Sequence, residues 1–252
     1  MRVVVVGGAG RIGARLVALL ARSGHEAVAA SRRTGVDVLT GAGLAPTLRG
    51  ADAVVDVSRS PSMVPADARV FFVAGTRALL AAEEDAGVGH HVLLSVVGAR
   101  RLEGAGFLEA KVAQEDLVAV SGRPFTILAA TQFFGFAPGI ADASTRDGPS
   151  GPEVRLPDAA DQPVAEDDVA AELARAVEAG PAGTTVELAG PDRMRLPAFV
   201  AAGLAAAGDP RRVVVDPAAT YFGAPLAGDE LLPGPGARLG SVHHAAWIAA
   251  RR

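Results

Sequence analysis

The chain has 252 residues, half of them apolar, with 24 basic and 28 acidic residues and a net charge of −4. That length and apolar content support a full hydrophobic core and argue against disorder. Charge of both signs is interspersed, which argues against a nucleic-acid or membrane-surface partner, and the absence of cysteine excludes disulfides, thiol chemistry and cysteine metal centres. No other metal site is expected. No apolar run approaches the roughly 18 residues of a membrane span, and the first strand opens at Arg2, leaving no room for a signal peptide. The expectation is a soluble cytoplasmic protein acting on a small molecule, with a homodimer compatible but not required.

Val3 to Val6 is an unbroken apolar run, as in a strand buried on both faces of a parallel sheet. Gly7, Gly10 and Gly13 follow in a G-x-x-G-x-x-G pattern, and Ile12, Leu16, Leu19 and Leu20 then recur at helical spacing up to Gly24. A glycine turn between strand and helix lets the backbone approach a pyrophosphate, which the helix amino terminus favours through its free N–H groups and dipole. Gly7, Gly10, Arg11, Ile12 and Gly13 are therefore candidate nucleotide-binding residues. After a second strand, Glu26 to Ala30, an NAD site would carry an acidic residue for the ribose hydroxyls. Here stands Ser31-Arg32-Arg33, whose guanidinium groups suit a 2′-phosphate. NADP(H) is the expected cofactor.

Val36 to Val38 reads as a short strand, with Asp37 placed to accept a hydrogen bond from an adenine amino group and Val38 to pack on the ring. A short helix, Leu44 to Leu48, precedes a buried strand, Ala53 to Val57, whose end at Val57 and Ser58 is a candidate cofactor wall. A helix is predicted from Val70 to Ala86, then a strand from His91 to Val97 carrying Ser95 near its end, with His90 and His91 read as residues without a ligand role. Phe107 to Val120 reads as a helix and Phe125 to Ala130 as a strand. From Gly135 to Pro163 the sequence loosens into Gly, Pro, Ser and Asp, which predicts a mobile segment over the strand ends. Glu166-Asp167-Asp168 opens another helix, where carboxylates suit the dipole. Thr185 to Leu188 is a last strand, Pro197 to Ala207 a helix, and Tyr221 to Leu239 an irregular stretch. The alternation predicts an α/β fold: a Rossmann-like, doubly wound, mainly parallel sheet with a small C-terminal substrate lobe. The core is expected over 1–132 with 164–189, and the lobe over 133–163 and 190–252.

Of the 24 basic residues, 23 are arginine and one is lysine, Lys111. With Ser95, Lys111 and the glycine turn, the chain resembles the atypical short-chain dehydrogenase/reductases, in particular their NmrA-like NAD(P)H-binding branch. The resemblance rests on GGAGRIG at 7–13, SRR at 31–33, HHVLLSVVG at 90–98, AKVAQEDL at 110–117 and PFTILAATQFF at 124–134. It implies a Rossmann core, a dinucleotide across Gly7, Gly10 and Gly13, and Ser95 and Lys111 near the nicotinamide. The branch includes both reductases and proteins that only bind the nucleotide. Its catalytic members carry Tyr-x-x-x-Lys, and the matching stretch here is Phe107-Leu108-Glu109-Ala110-Lys111. A phenyl ring has no proton to give.

Three readings follow. The first is an NADP(H)-dependent oxidoreductase acting on a quinone, an enone or another apolar conjugated carbonyl, with its proton from Ser95, from Gln132 through water, from solvent, or from Tyr221, the sole tyrosine. Phe107, Gln132, Phe133 and Phe134 would line its substrate pocket, with Phe72, Phe136 and Phe222 as further apolar candidates. The second is an NADP(H)-binding redox sensor without turnover, and the third an isomerase or cyclase on the same scaffold.

Overall fold

The computed structural model describes residues 1–149 and 151–251. Its elements run β1 (Arg2–Val6), α1 (Arg11–Arg22), β2 (Glu26–Ala30), a 3-10 turn (Arg32–Thr34), α2 (Leu44–Leu48), β3 (Ala53–Asp56), α3 (Pro65–Ala86), β4 (His90–Val96), α4 (Gly106–Val120) and β5 (Phe125–Ala130). They continue with α5 (Ala137–Ser144), β6 (Thr145–Gly148), β7 (Gly151–Leu156), β8 (Ala160–Asp161), α6 (Glu166–Ala179), β9 (Thr185–Ala189), β10 (Met194–Arg195), α7 (Leu196–Ala206), β11 (Arg212–Val215), β12 (Arg238–Leu239) and α8 (His244–Ala249). A seven-stranded sheet has the order β12-β9-β5-β4-β3-β1-β2. β1 pairs in parallel with β2 on one side and β3 on the other, so Val4 lies opposite both Val28 and Val54. Strand order across the sheet therefore reverses at β1, the kind of switch point beside which such sheets bind ligands. The α/β, mainly parallel fold expected from the sequence is the one observed.

The chain forms two compact units. The first comprises Met1–Ser95, Ala110–Ala129 and Val169–Val186, and the second Val96–Glu109, Ala130–Asp168 and Glu187–Arg252. In the first, Val3 to Val6 are at most 2% exposed, which is why that strand tolerates no polar residue. Ile12, Leu16 and Leu20 bury one stripe of α1, and Val4, Val36, Val38, Leu44, Leu48, Val54 and Leu79 form one core cluster. Val36 to Val38 is not a strand; both valines enter that core from a loop. α3 starts at Pro65, five residues before the predicted Val70, with proline in its first turn, where a missing N–H costs nothing. His90 bonds Thr126 and His91 bonds Glu83, at 2.9 and 2.8 Å, in the interior of this unit.

In the second unit the described residues of 135–163 include α5, β6 and β7, with β6 antiparallel to β7 and β11 pairing with β7 in parallel, where a segment loosened by Gly, Pro, Ser and Asp was expected. Ile140, Ala141, Val154 and Leu156 anchor these elements, each fully buried. Asp168, in the first turn of α6, accepts hydrogen bonds from the Ser241 and Val242 amides at 3.1 and 3.0 Å, a structural use of that acidic triplet.

Candidate active site

The first unit carries the glycine turn. Gly7 has φ +83, and a Cβ there would lie 2.7 Å from the Val57 carbonyl oxygen; at Gly13 it would lie 2.3 Å from the Gly7 oxygen. A Cβ at Gly8 would lie 2.7 Å from Ala29 Cα, a requirement that the three-glycine pattern missed although GG stands in the sequence. At Gly10 the room is larger, with a Cβ 3.2 Å from the Gly7 oxygen. Gly10 is the N-cap of α1: no side chain caps the helix, and its first turn holds no acidic residue. Arg11 is exposed at the first helical position, and Ile12 is buried beneath it. The positive end of the α1 dipole is thus uncovered beside a turn in which Gly7, Gly8 and Gly13 leave no room for a Cβ, a cradle suited to a pyrophosphate.

Beyond β2, the Ser31 amide donates to Thr34 Oγ1 at 2.8 Å, fixing the 3-10 turn that presents Arg32 and Arg33. Both arginines are exposed, and neither pairs with a carboxylate among the described residues. Asp37 Oδ1 accepts from the Leu39 amide at 2.9 Å, and Val38 is 9% exposed within the core cluster. Val57 donates to the Val6 carbonyl at 2.9 Å, and Ser58 to Asp56 Oδ1 at 2.8 Å, so the end of β3 is closed by its own backbone and stays beside Gly7.

Lys111 lies within the first unit, 6% exposed. Its ammonium donates to the Leu94 carbonyl at 2.8 Å and to Gln114 Oε1 at 2.6 Å, and lies 4.7 Å over the Phe72 ring. Gln114 in turn donates to Asp56 Oδ2 and to Thr76 Oγ1, both at 2.9 Å. Burial lowers the lysine pKa to about 8, against the opposing pull of Asp56 and Glu115. Ser95, 2% exposed, donates to the buried Glu115. Sequence reasoning found Ser95 and Lys111 but missed Asp56, Thr76, Gln114 and Glu115. The signal was present on α4: Gln114 and Glu115 stand three and four residues after Lys111, on the same helical face.

The second unit carries the remaining candidates. Phe107, in the first turn of α4, is half-buried, as is Phe133, which bridges to Val164. Gln132 is 8% exposed and its carbonyl accepts from the Val164 amide at 2.8 Å. Phe134 is only 1% exposed, edge-on to His244 and Trp247 at 4.9 and 5.4 Å; its ring packs the interior of this unit rather than lining a pocket. Tyr221 is likewise 1% exposed. Burial, reinforced by the charge of Asp161, pushes its phenol well above the ordinary value.

No family model and no curated protein matches the sequence. Solved structures do. MoeE5 in complex with UDP-glucuronic acid and NAD is similar with a TM-score of 0.74 at 19% identity, over 99% of this chain and 97% of that one. The UDP-glucose 4-epimerase of Thermus thermophilus in complex with NAD gives 0.67 at 19%, over 99% and 93%. A dTDP-4-dehydrorhamnose reductase of Clostridium acetobutylicum gives 0.68 at 13%, over 99% and 98%. The chain shares its α/β fold with these NAD-bound proteins and this reductase.

Proposed function

We propose that the protein is an NADP(H)-dependent oxidoreductase of the atypical, NmrA-like short-chain dehydrogenase type, reducing a small apolar conjugated carbonyl, an enone or a quinone. The observation that carries the reading is the Gly7–Gly13 turn, where a Cβ at Gly7 or Gly13 would strike backbone, beside the uncapped amino terminus of α1. NAD in solved structures of the same fold supports a dinucleotide. The preference for NADP(H) rests on Arg32 and Arg33, exposed and without carboxylate partners among the described residues at the end of β2, where a 2′-phosphate would be recognised.

When bound, NADPH supplies a hydride at its nicotinamide. The chain's own residues bind and orient: Gly7 to Gly13 take the pyrophosphate, Ser31 to Arg33 the 2′-phosphate, and Val57 and Ser58 stand at the wall of the turn. Lys111, with a pKa near 8, is the compact cation proposed for the nicotinamide ribose. Reduction of a carbonyl also takes up one proton, and Phe107 has none to offer. The other hydroxyl candidates are poorly disposed: Ser95 is tied to Glu115, and Tyr221 is buried with its pKa raised. Solvent is then the proton source, which favours an acceptor that spreads negative charge over a conjugated system and can be protonated late. Localisation in the cytoplasm is part of the same proposal. No helix among the described residues is long and apolar enough to cross a membrane.

The inward hydrogen bonds of Lys111 favour a second reading, an NADP(H) sensor that binds without turnover. Steady-state NADPH oxidation with 2-cyclohexenone and with cyclohexanone separates the two. The parent should turn over the enone and not the isolated ketone, and Phe107→Tyr should gain ketone reduction by about 10²-fold or more. Efficient ketone reduction by the parent reveals another acid, and no NADPH oxidation with any acceptor favours the sensor.

A further inference from the structure

Phe222 has φ +49 and is the sole residue other than glycine with a positive φ among the described residues. In that region Cβ crowds the following carbonyl, and phenylalanine lacks the short polar side chain with which asparagine offsets the strain. Such strain persists where the surroundings over-determine it, and it collects at ligand clamps. Here the surroundings are all in the second unit. Tyr221 and Ala224 exchange N–H···O bonds of 2.8 and 3.0 Å that close a tight turn around Phe222 and Gly223, and both flanking residues are buried. Gly223 (φ +99) carries the tip: a Cβ there would lie 2.8 Å from the carbonyl oxygen of Gly104. The turn is thus seated against the loop between β4 and α4.

The ring that this turn presents is half-buried. It stacks on the half-buried ring of Phe136, with centroids 6.0 Å apart and planes inclined by 19°, and meets Tyr221 edge-on at 4.8 Å. Phe136 is itself fixed, lying over Gly139 of α5, where a Cβ would come within 3.2 Å of its ring. Two nearly parallel aromatic rings are therefore held from below, one by a strained turn and one by a helix. In the chain, Phe136 follows β5 and Gly104 follows β4. An apolar side chain on unstrained backbone would meet a need for packing alone.

We propose that the Phe136–Phe222 pair is the surface that receives the flat conjugated ring of the substrate, with Phe222 as its specificity-determining residue; this rests on the reductase reading above. Offset stacking on two pre-aligned rings selects planar, electron-poor rings such as quinones over non-planar acceptors. The test is calorimetric titration of the full chain with 1,4-naphthoquinone, with and without NADP+, for the parent, Phe222→Gly, Phe222→Leu and Phe136→Leu. Phe222→Gly removes the ring and the strain together, so its melting temperature should hold or rise while its Kd for the quinone rises about 3- to 10-fold, the size of one aromatic stacking contact. Both leucine variants should weaken binding by a similar factor. An unchanged Kd in Phe222→Gly, a lowered melting temperature in that variant, or a parent that does not bind the quinone would each overturn the assignment. Failure of NADPH to bind the parent would instead overturn the nucleotide reading and leave the ring assignment to the quinone titration without nucleotide.

Discussion

Replacing Lys111 by methionine keeps most of the length of the side chain but removes the ammonium, and with it the charge over the Phe72 ring. The folded protein holds this ammonium where burial lowers its pKa from the ordinary 10.5 to about 8. In the unfolded chain the amine keeps its ordinary value, so between about pH 8 and 10.5 the unfolded state binds more protons than the folded one, and stability rises with pH across that window. The depression is worth about 3 kcal/mol of differential stability. Below about pH 8 both states are protonated and the cost of burying the charge is constant. Urea unfolding of the parent and Lys111→Met at about pH 7.5, 8.5, 9.5 and 10.5 measures the difference directly, because titrations elsewhere in the chain cancel between the two. The parent should gain about 3 kcal/mol relative to the variant from the lowest to the highest of these values. Parallel pH profiles would refute the reasoning and place the amine in contact with solvent.

Gly13→Ala should cost about 1 to 3 kcal/mol of stability and abolish nucleotide binding, because a Cβ 2.3 Å from the Gly7 oxygen forces the turn to move; thermal unfolding and an NADPH titration check this, and parent-like affinity would contradict it. Burial raises the pKa of Asp161 to about 7, opposed by the Gln162 amide. A raised carboxyl pKa stabilises fully below the ordinary 3.8 and loses that stabilisation as pH rises through about 7. From about pH 5 to 8 the stability of Asp161→Asn should therefore fall by about 2 to 3 kcal/mol less than that of the parent, as followed by denaturant unfolding.

How far the fold was legible depended on whether burial and backbone pairing coincided. In β1, β3 and β5 they do: Val3 to Val6 is a continuous apolar run, and β3 and β5 are apolar but for Asp56 and Thr126. At Val36 to Val38 they part: both valines are buried, but the segment is not a strand, so a Val-Asp-Val alternation resembled a strand it does not form. Residues 135–163 misled in the opposite direction. Their Gly, Pro, Ser and Asp content resembled a loop, yet a few apolar residues, Ile140, Val154 and Leu156 among them, suffice to dock a short helix and two paired strands. At the candidate site, the glycine turn was legible because its demand is local, whereas the Asp56–Gln114–Lys111 chain joins β3 to α4 across 58 positions and has no local signature. Phe134 stood out by residue type alone, but its contacts with His244 and Trp247 come from the far C-terminus. The strain at Phe222 is a backbone property that no residue pattern announced.

Recognition of NADP(H) by the β2 arginines is tested most directly by calorimetry of NADPH and NADH binding to the parent and to Arg32→Ala. Arg32 is exposed and lies outside the core, so the substitution should leave the melting temperature unchanged. A charge-assisted contact to a 2′-phosphate is worth roughly 1.5–3 kcal/mol where well formed. The parent should bind NADPH more tightly than NADH, and Arg32→Ala should lose about 10- to 100-fold in affinity for NADPH alone. Equal losses for both nucleotides, or no loss for either, would contradict the account.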